Sequence, residues 1–303
     1  MHLVFLGTGG SWPSPKRNVS ALAVKLNGEI VLLDCGEGTQ RQFMISPLSF
    51  MRVRRILISH FHGDHFLGLP GLIQSMTMAE RKEPLSVHGP RGIRDLVKAL
   101  LTLGYFRPGF EVEVHEMESG GRMDCGEYSV SAVRSSHNVP GLVYALEESA
   151  KPGRFDLGKA RSLGVPEGPM YRRIQRGEAV TLADGRTIHP DQILGPPRRG
   201  LRLVYTGDTL PSEEVIAFAK GCDVLVHDST VDASIEEKGN SYGHASARQA
   251  AQVAKACGAR MLFLTHISPR YEDPTVLLED ARAVFENVQV AQDFLEFSVP
   301  RPD

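Results

Sequence analysis

The segment Ser59–His65 reads SHFHGDH, so His60, His62, Asp64 and His65 place four metal-ligand side chains within six residues. They follow the apolar run Ile56–Ile58, which reads as the end of a buried strand. Imidazole nitrogen and carboxylate oxygen are the donors that zinc and other borderline divalent ions select, and these donor types leave both zinc and manganese open. Three further candidates stand just beyond apolar runs: His137 in SSHN, Asp208 in TGDT and His266 in LTHIS. Each alone would more often be a capping or surface residue. Together they make one pattern, ligand types placed repeatedly after buried strands. Strand ends on one side of a sheet converge on a common rim. Five histidines and two aspartates suffice for two ions that share a carboxylate and keep a position open.

The remaining histidines carry less. His2, His88 and His115 lie in or beside strand-like runs and read as structural or surface residues, and His189 is uninformative. His244 in SYGHAS, with Gly243 freeing the backbone before it, and His227 opening HDST, are candidates for a general acid near the ions. The four cysteines are scattered and form no CxxC, which implies reduced thiols and a cytoplasmic setting.

The elements that must position these groups are legible from hydrophobic patterning. Strands are expected at His2–Gly7, Ser20–Leu26, Ile30–Asp34, Arg54–Ser59, Leu85–His88, Glu111–His115, Tyr128–Arg134, Gly141–Leu146, Leu201–Thr206, Val224–His227, Met261–Thr265 and Phe294–Ser298. Helices are expected at Phe66–Glu80, Gly92–Leu103, Glu213–Lys220, Ala247–Cys257 and Thr275–Glu286. Ser246 with Gln249 forms a capping box, and Asp273 before Pro274 reads as an N-cap followed by an N1 proline. Strands dominate the first half and strand–helix alternation the second. That predicts a layered α/β (α+β) domain over 1–303 with sheets inside and helices outside.

The chain has 303 residues and a formal net charge of -2, with ordinary globular composition. No apolar run reaches the roughly 18 residues of a membrane span, and the first ten residues read as a strand, not a signal peptide. Near-neutrality would argue against a polyanionic partner, but it is an average. Residues 151–202 are rich in Gly and Pro and hold eleven basic and five acidic residues, a +6 segment set against a -8 remainder. Within it, 151–200 reads as an inserted flexible arm.

SHFHGDH resembles the HxHxDH signature of the metallo-β-lactamase superfamily, and with His137, Asp208 and His266 in order the resemblance spans nearly the whole chain. It implies an αββα sandwich with a two-metal site at one edge. FLGTGGSWPSPKRNVSA at Phe5–Ala21, LLDCGEGTQRQ at Leu32–Gln42 and GVPEGPMYRRIQRG at Gly164–Gly177 are similar to the ribonuclease Z family, the tRNA 3′-processing endoribonucleases. The last segment resembles that family's protruding tRNA-binding arm.

Carried over residue by residue, the resemblance implies that His60, His62 and His137 hold one zinc, that Asp64, His65 and His266 hold the second, and that Asp208 bridges. It implies Asp64 as the group orienting the nucleophile, with His244, held by Asp228, protonating the leaving 3′-oxygen. Asp34 is implied to orient a ligand histidine. Substrate contacts are implied for Lys16, Arg17 and Asn18, and in the arm for Gly164, Pro166, Gly168, Pro169, Arg172 and Arg173. The implied partners are precursor tRNA and a second copy of the chain, and no membrane. The products would be a tRNA 3′-hydroxyl and a trailer 5′-phosphate. The competing expectation is a small-molecule hydrolase on the same scaffold, a phosphodiesterase or thiolesterase, which would not need a +6 insert.

Overall fold

The computed structural model describes residues 1–301. The chain divides into two compact units, a large one built from 1–125, 129–147 and 201 onward, and a small one built from 126–128 and 148–200.

The large unit is organised on two seven-stranded sheets. In the first, the order across the sheet is Glu296–Ser298, His2–Gly7, Ala21–Leu26, Glu29–Leu33, Val53–Leu57, Leu85–Gly89 and Val112–Glu116. In the second it is Val288–Val290, Leu262–Thr265, Val224–Asp228, Arg202–Tyr205, Leu142–Glu148, Tyr128–Arg134 and Arg122–Asp124. Strand alternation gives each sheet two apolar faces. One face of the first sheet packs Ile30, Leu32, Ile56 and Val87 under Leu69–Met78 and Ile93–Thr102. One face of the second packs Val204, Leu225 and Leu264 under Ala247–Cys257 and Thr275–Arg282. The other faces meet each other, as where the Phe5 and Phe263 rings lie 5.0 Å apart. The layers are therefore α/β/β/α. Each fully buried Leu, Ile or Val contributes about 1.5–3 kcal/mol by leaving water, so the two helix-facing cores hold the strand ends stiffly.

Those ends matter most. Glu29–Leu33, Val53–Leu57 and Leu85–Gly89 run parallel, as do Arg202–Tyr205, Val224–Asp228 and Leu262–Thr265. Their C-terminal ends lead directly into Asp34, Ser59–His65, Asp208, Asp228 and His266. The outer edge beyond the carboxyl ends of parallel strands is where such sheets place ligands.

Most expected elements form with boundaries shifted by a residue or two, and three differ in kind. The expected helix Phe66–Glu80 is two helices, Gly63–Phe66 and Leu69–Met78. The break falls at Gly68, where a Cβ would collide with the Gly36 carbonyl. Asp273 is not the N-cap of Thr275–Arg282; that position is Pro274, and Asp273 instead accepts from the Thr275 backbone and hydroxyl. Finally, the inserted segment is not structureless. It contains helices Leu157–Ser162 and Pro169–Gln175, the hairpin Val180–Thr181 with Thr187–Ile188, and its own core of Ala160, Val165, Ile174, Val180, Leu182, Ile188 and Ile193. The short Thr39–Ile45 helix and the strands Arg122–Asp124 and Val288–Val290 carry too little periodicity to be seen in the sequence.

Candidate metal centre and active site

The structure brings all seven expected ligand residues together. The donor atoms of His60, His62, His137 and Asp208 lie within 4.8 Å of one another, as do those of Asp64, His65 and His266. A third overlapping group is Asp208, Asp228, His244 and His266. His60 Nε2 is 3.0 Å from His62 Nδ1, and His137 Nε2 is 3.3 Å from the same atom. Asp208 lies between the two sets: Oδ2 is 3.5 Å from His60 Nε2 and 3.4 Å from His266 Nε2, and Oδ1 is 3.3 Å from His65 Nε2.

The surrounding groups fix which ring nitrogen faces inward. Asp34 accepts from His65 Nδ1 at 2.7 Å, from the Ser59 N–H at 2.6 Å and hydroxyl at 2.8 Å, and from the Tyr205 hydroxyl at 2.7 Å. With Nδ1 donating there, His65 turns its Nε2 lone pair toward Asp208. His137 Nδ1 donates to the Gly243 carbonyl at 2.8 Å, leaving Nε2 for the centre. His266 Nδ1 bonds the Thr230 hydroxyl at 2.8 Å, and that hydroxyl donates to Asp228 Oδ1 at 2.7 Å. Such outer partners set tautomer and raise ligand basicity. Asp34 and His266 both adopt positive φ, 57° and 59°, a conformation costly for these residues and kept only where the surroundings demand it.

Electrostatics show what the cluster lacks. Burial and the neighbouring His65 push the His60 imidazole well below its ordinary pKa; burial and His137 lower His62. Burial works against charge on Asp208, but His266 and His65 outweigh it and hold the carboxyl well below the usual range. His65 Nε2 and Asp208 Oδ1 are buried and have no hydrogen-bond partner among the described residues. Orphaned buried polar atoms are expensive. Two imidazole-rich donor sets with a carboxylate between them, and orphaned atoms at the join, are satisfied by divalent cations, so the residues present fit a metal site.

Beside this cluster, His244 Nδ1 donates to Asp228 Oδ2 at 3.0 Å. Burial opposes the imidazolium, but the Asp228 carboxylate prevails and raises its pKa to about 9. His227 is fully buried, bonds the Asp228 carbonyl through Nδ1 and joins no ligand group among the described residues. The expected substrate contacts divide. The Lys16 ammonium donates to the Glu272 carbonyl at 3.3 Å. Arg17, by contrast, turns inward: its guanidinium donates to the Thr8 hydroxyl and the Ala291 carbonyl. Asn18 donates from its backbone to Asp293 and from its side chain to the Glu37 carbonyl. These two hold the loop and do not project from it. Within the small unit, Gly168 (φ 122°) and Pro169 set the start of Pro169–Gln175, Gly164 takes φ 74°, and Arg173 is paired with Glu178. Pro166 is exposed, and Arg172 is exposed and carries no ion pair among the described residues. Sequence reasoning missed Ser59, Tyr205 and Thr230, ordinary residues whose value lies in the partner they meet. It also missed the turn at Gly10–Ser11: the Ser11 N–H donates to Asp64 Oδ2 at 2.7 Å, and a Cβ on Gly10 would overlap the His266 ring.

This fold is the metallo-β-lactamase scaffold, and its His/Asp cluster is a candidate divalent-metal site. Residues 181–267 match the family model described as a β-lactamase superfamily domain, and residues 1–146 the model described as anti-Pycsar protein Apyc1. Among solved structures, human tRNase Z, short form, superposes with a TM-score of 0.73 at 27% identity, covering 99% of this chain and 100% of that one. The metallo-β-lactamase fold protein YhfI of Bacillus subtilis gives a TM-score of 0.70 at 18% identity over 98% of each chain, which speaks to fold alone. A curated ribonuclease Z of Methanothermobacter thermautotrophicus is 44% identical across 100% of this chain and 98% of the relative. That of Myxococcus xanthus is 44% identical across 100% and 99%. The chain belongs to the ribonuclease Z family, and with it is a hydrolytic endoribonuclease.

Proposed function

We propose that this endoribonuclease removes the 3′ trailer of precursor tRNA, using two zinc ions held by His60, His62, His137, Asp64, His65 and His266, with Asp208 shared. The observation that carries the reading is full-length identity of 44% to curated ribonuclease Z proteins. The donor set supports the ligand assignment, because all seven side chains converge. Bound there, the cations would supply Lewis acidity to the phosphate and would lower the pKa of a coordinated water.

The protein's own groups do the rest. Asp64, held by the Ser11 N–H, orients the attacking water. Water adds to phosphorus as the bond to the tRNA 3′-oxygen breaks. His244, kept protonated by Asp228, gives its proton to that departing oxygen. The tRNA thus ends in a 3′-hydroxyl and the trailer begins with a 5′-phosphate. Asp228 also accepts from Thr230 and Thr209, so it stays in place as the proton leaves.

The small unit 148–200 is the tRNA-gripping arm in this reading. Most of the eleven cations of 151–202 lie in it and suit backbone phosphates, which are recognised by shape and charge. Two copies of the chain are proposed to act together in the cytoplasm. No helix among the described residues is long and apolar enough to cross a membrane.

The test is incubation of metal-loaded protein with a 3′-extended tRNA precursor, with end-group analysis of the products. Cleavage giving a tRNA 3′-hydroxyl, abolished by a chelator, is expected. Failure of fully loaded protein to cut, or cutting that a chelator leaves untouched, would overturn the reading.

A further inference from the structure

Trp12 is the single tryptophan of the chain, and it is 63% exposed. The turn beneath it is anything but loose. Gly9 bridges to Val19 and Ile267, and the Gly10 N–H donates to the Ile267 carbonyl at 3.1 Å. Ser11 is held at φ 69° while its N–H bonds Asp64. The backbone before Trp12 is thus pinned to Asp64 of the metal cluster and to Ile267, the chain neighbour of His266. The indole itself is presented to solvent. A large apolar ring exposed to water on a pinned backbone beside the metal cluster suits a ligand that stacks.

Two cavities meet at this ring. One, of about 240 Å³, is lined by Trp12, Lys16, Tyr271 and Glu272 among others. The second, of about 440 Å³, is lined by Trp12, Lys238, Tyr242, His244 and Arg270 among others. Trp12 is the residue common to both linings. The larger cavity holds a second exposed aromatic, Tyr242, 61% exposed, together with two cations. Aromatic faces interleaved with Lys and Arg are the chemistry that grips single-stranded RNA.

The reaction then assigns the sides, and this step rests on the function proposed above. His244 serves the 3′-oxygen that leaves, so the nucleoside carrying that oxygen belongs in the cavity His244 lines. The first trailer nucleotide falls on the other side. We propose that the Trp12 indole is a wedge between the two bases flanking the scissile phosphate. The last tRNA base stacks on the face turned toward Tyr242, and the first trailer base enters the cavity beside Lys16. Splitting the single strand at one step selects which phosphate reaches the metal cluster. Trp12 is therefore a specificity-determining residue for the position of the cut.

Because Trp12 is the sole tryptophan, its own emission reports the contact. Metal-depleted full-length protein is titrated with a 3′-extended tRNA precursor, with binding followed separately by filter retention. Saturable quenching is expected, at least halved at saturation when both flanking nucleotides are abasic. With metal-loaded protein, an abasic site on either side should cost wild type about tenfold or more in kcat/KM. Trp12→Ala should lose that sensitivity and cut at neighbouring phosphates as well, and Trp12→Phe should restore a single position. Unchanged emission from bound protein that still cuts the same precursor would overturn the wedge and leave the proposed reaction standing. So would Trp12→Ala cutting at one unshifted phosphate with the wild-type abasic penalty. Absence of any cleavage by the loaded wild type would instead overturn the proposed reaction, and the wedge with it.

Discussion

Asp34 shows how much one buried carboxylate can organise. It receives two donors from Ser59, one from Tyr205 and one from His65, and the last bears directly on an expected metal ligand. Asp34→Asn keeps the shape and removes the acceptor that fixes His65. Zinc affinity, measured by competition with a chromophoric chelator, is expected to fall about 10–100-fold. Unchanged affinity would show that His65 needs no such partner. His88 offers a test remote from the centre. Burial, then the stacked His115, lowers its pKa to about 4. Between pH 6.5 and 4 the unfolded chain binds a proton that the folded chain refuses, so the folded state loses stability as the pH falls through that window. Above it the contribution is fully present. His88→Gln should flatten this part of the stability–pH curve, by no more than about 3 kcal/mol across the window. Denaturant midpoints for both proteins across the range decide it, and identical slopes would contradict the assignment.

The strand ends were the legible part of the site. A ligand type directly after an apolar run needs no long-range information, and His60, His137, Asp208 and His266 all carried that signature. The partners that orient them come from distant segments, as Thr230 does for His266 and the Gly243 carbonyl for His137. No local pattern marks such residues. The PKRN loop carries the same lesson. The resemblance implies substrate contact there, and the structure shows Arg17 bonded to Thr8 and Ala291 and Asn18 to Asp293 and Glu37. A cation next to a half-buried carboxylate and open carbonyls is drawn inward. The core of the insert was hard to read for another reason. Its apolar residues are few and widely spaced, but seven of them suffice for a small core that carries a helix with Arg172 and Arg173. Reversing Arg172 and Arg176 to Glu should weaken precursor binding tenfold or more and make it less steep in salt. Hydrolysis of bis(4-nitrophenyl) phosphate should fall far less. Equal loss of both activities would make this unit a structural support.

At the scale of the whole molecule, a net charge of -2 conceals a division of labour. In the proposed function the +6 segment would offer cations to a polyanion, and the -8 remainder includes the carboxylates that would meet metal ions. The two-ion reading and the tRNA reading therefore stand together, and one titration examines both. Metal-stripped protein is supplied with measured equivalents of zinc, and cleavage of a 3′-extended tRNA precursor is followed at each point. Activity should be absent without metal, rise with loading and reach its plateau at two equivalents per chain. A plateau at one equivalent would contradict the shared Asp208 site, and no cleavage at any loading would contradict the function itself.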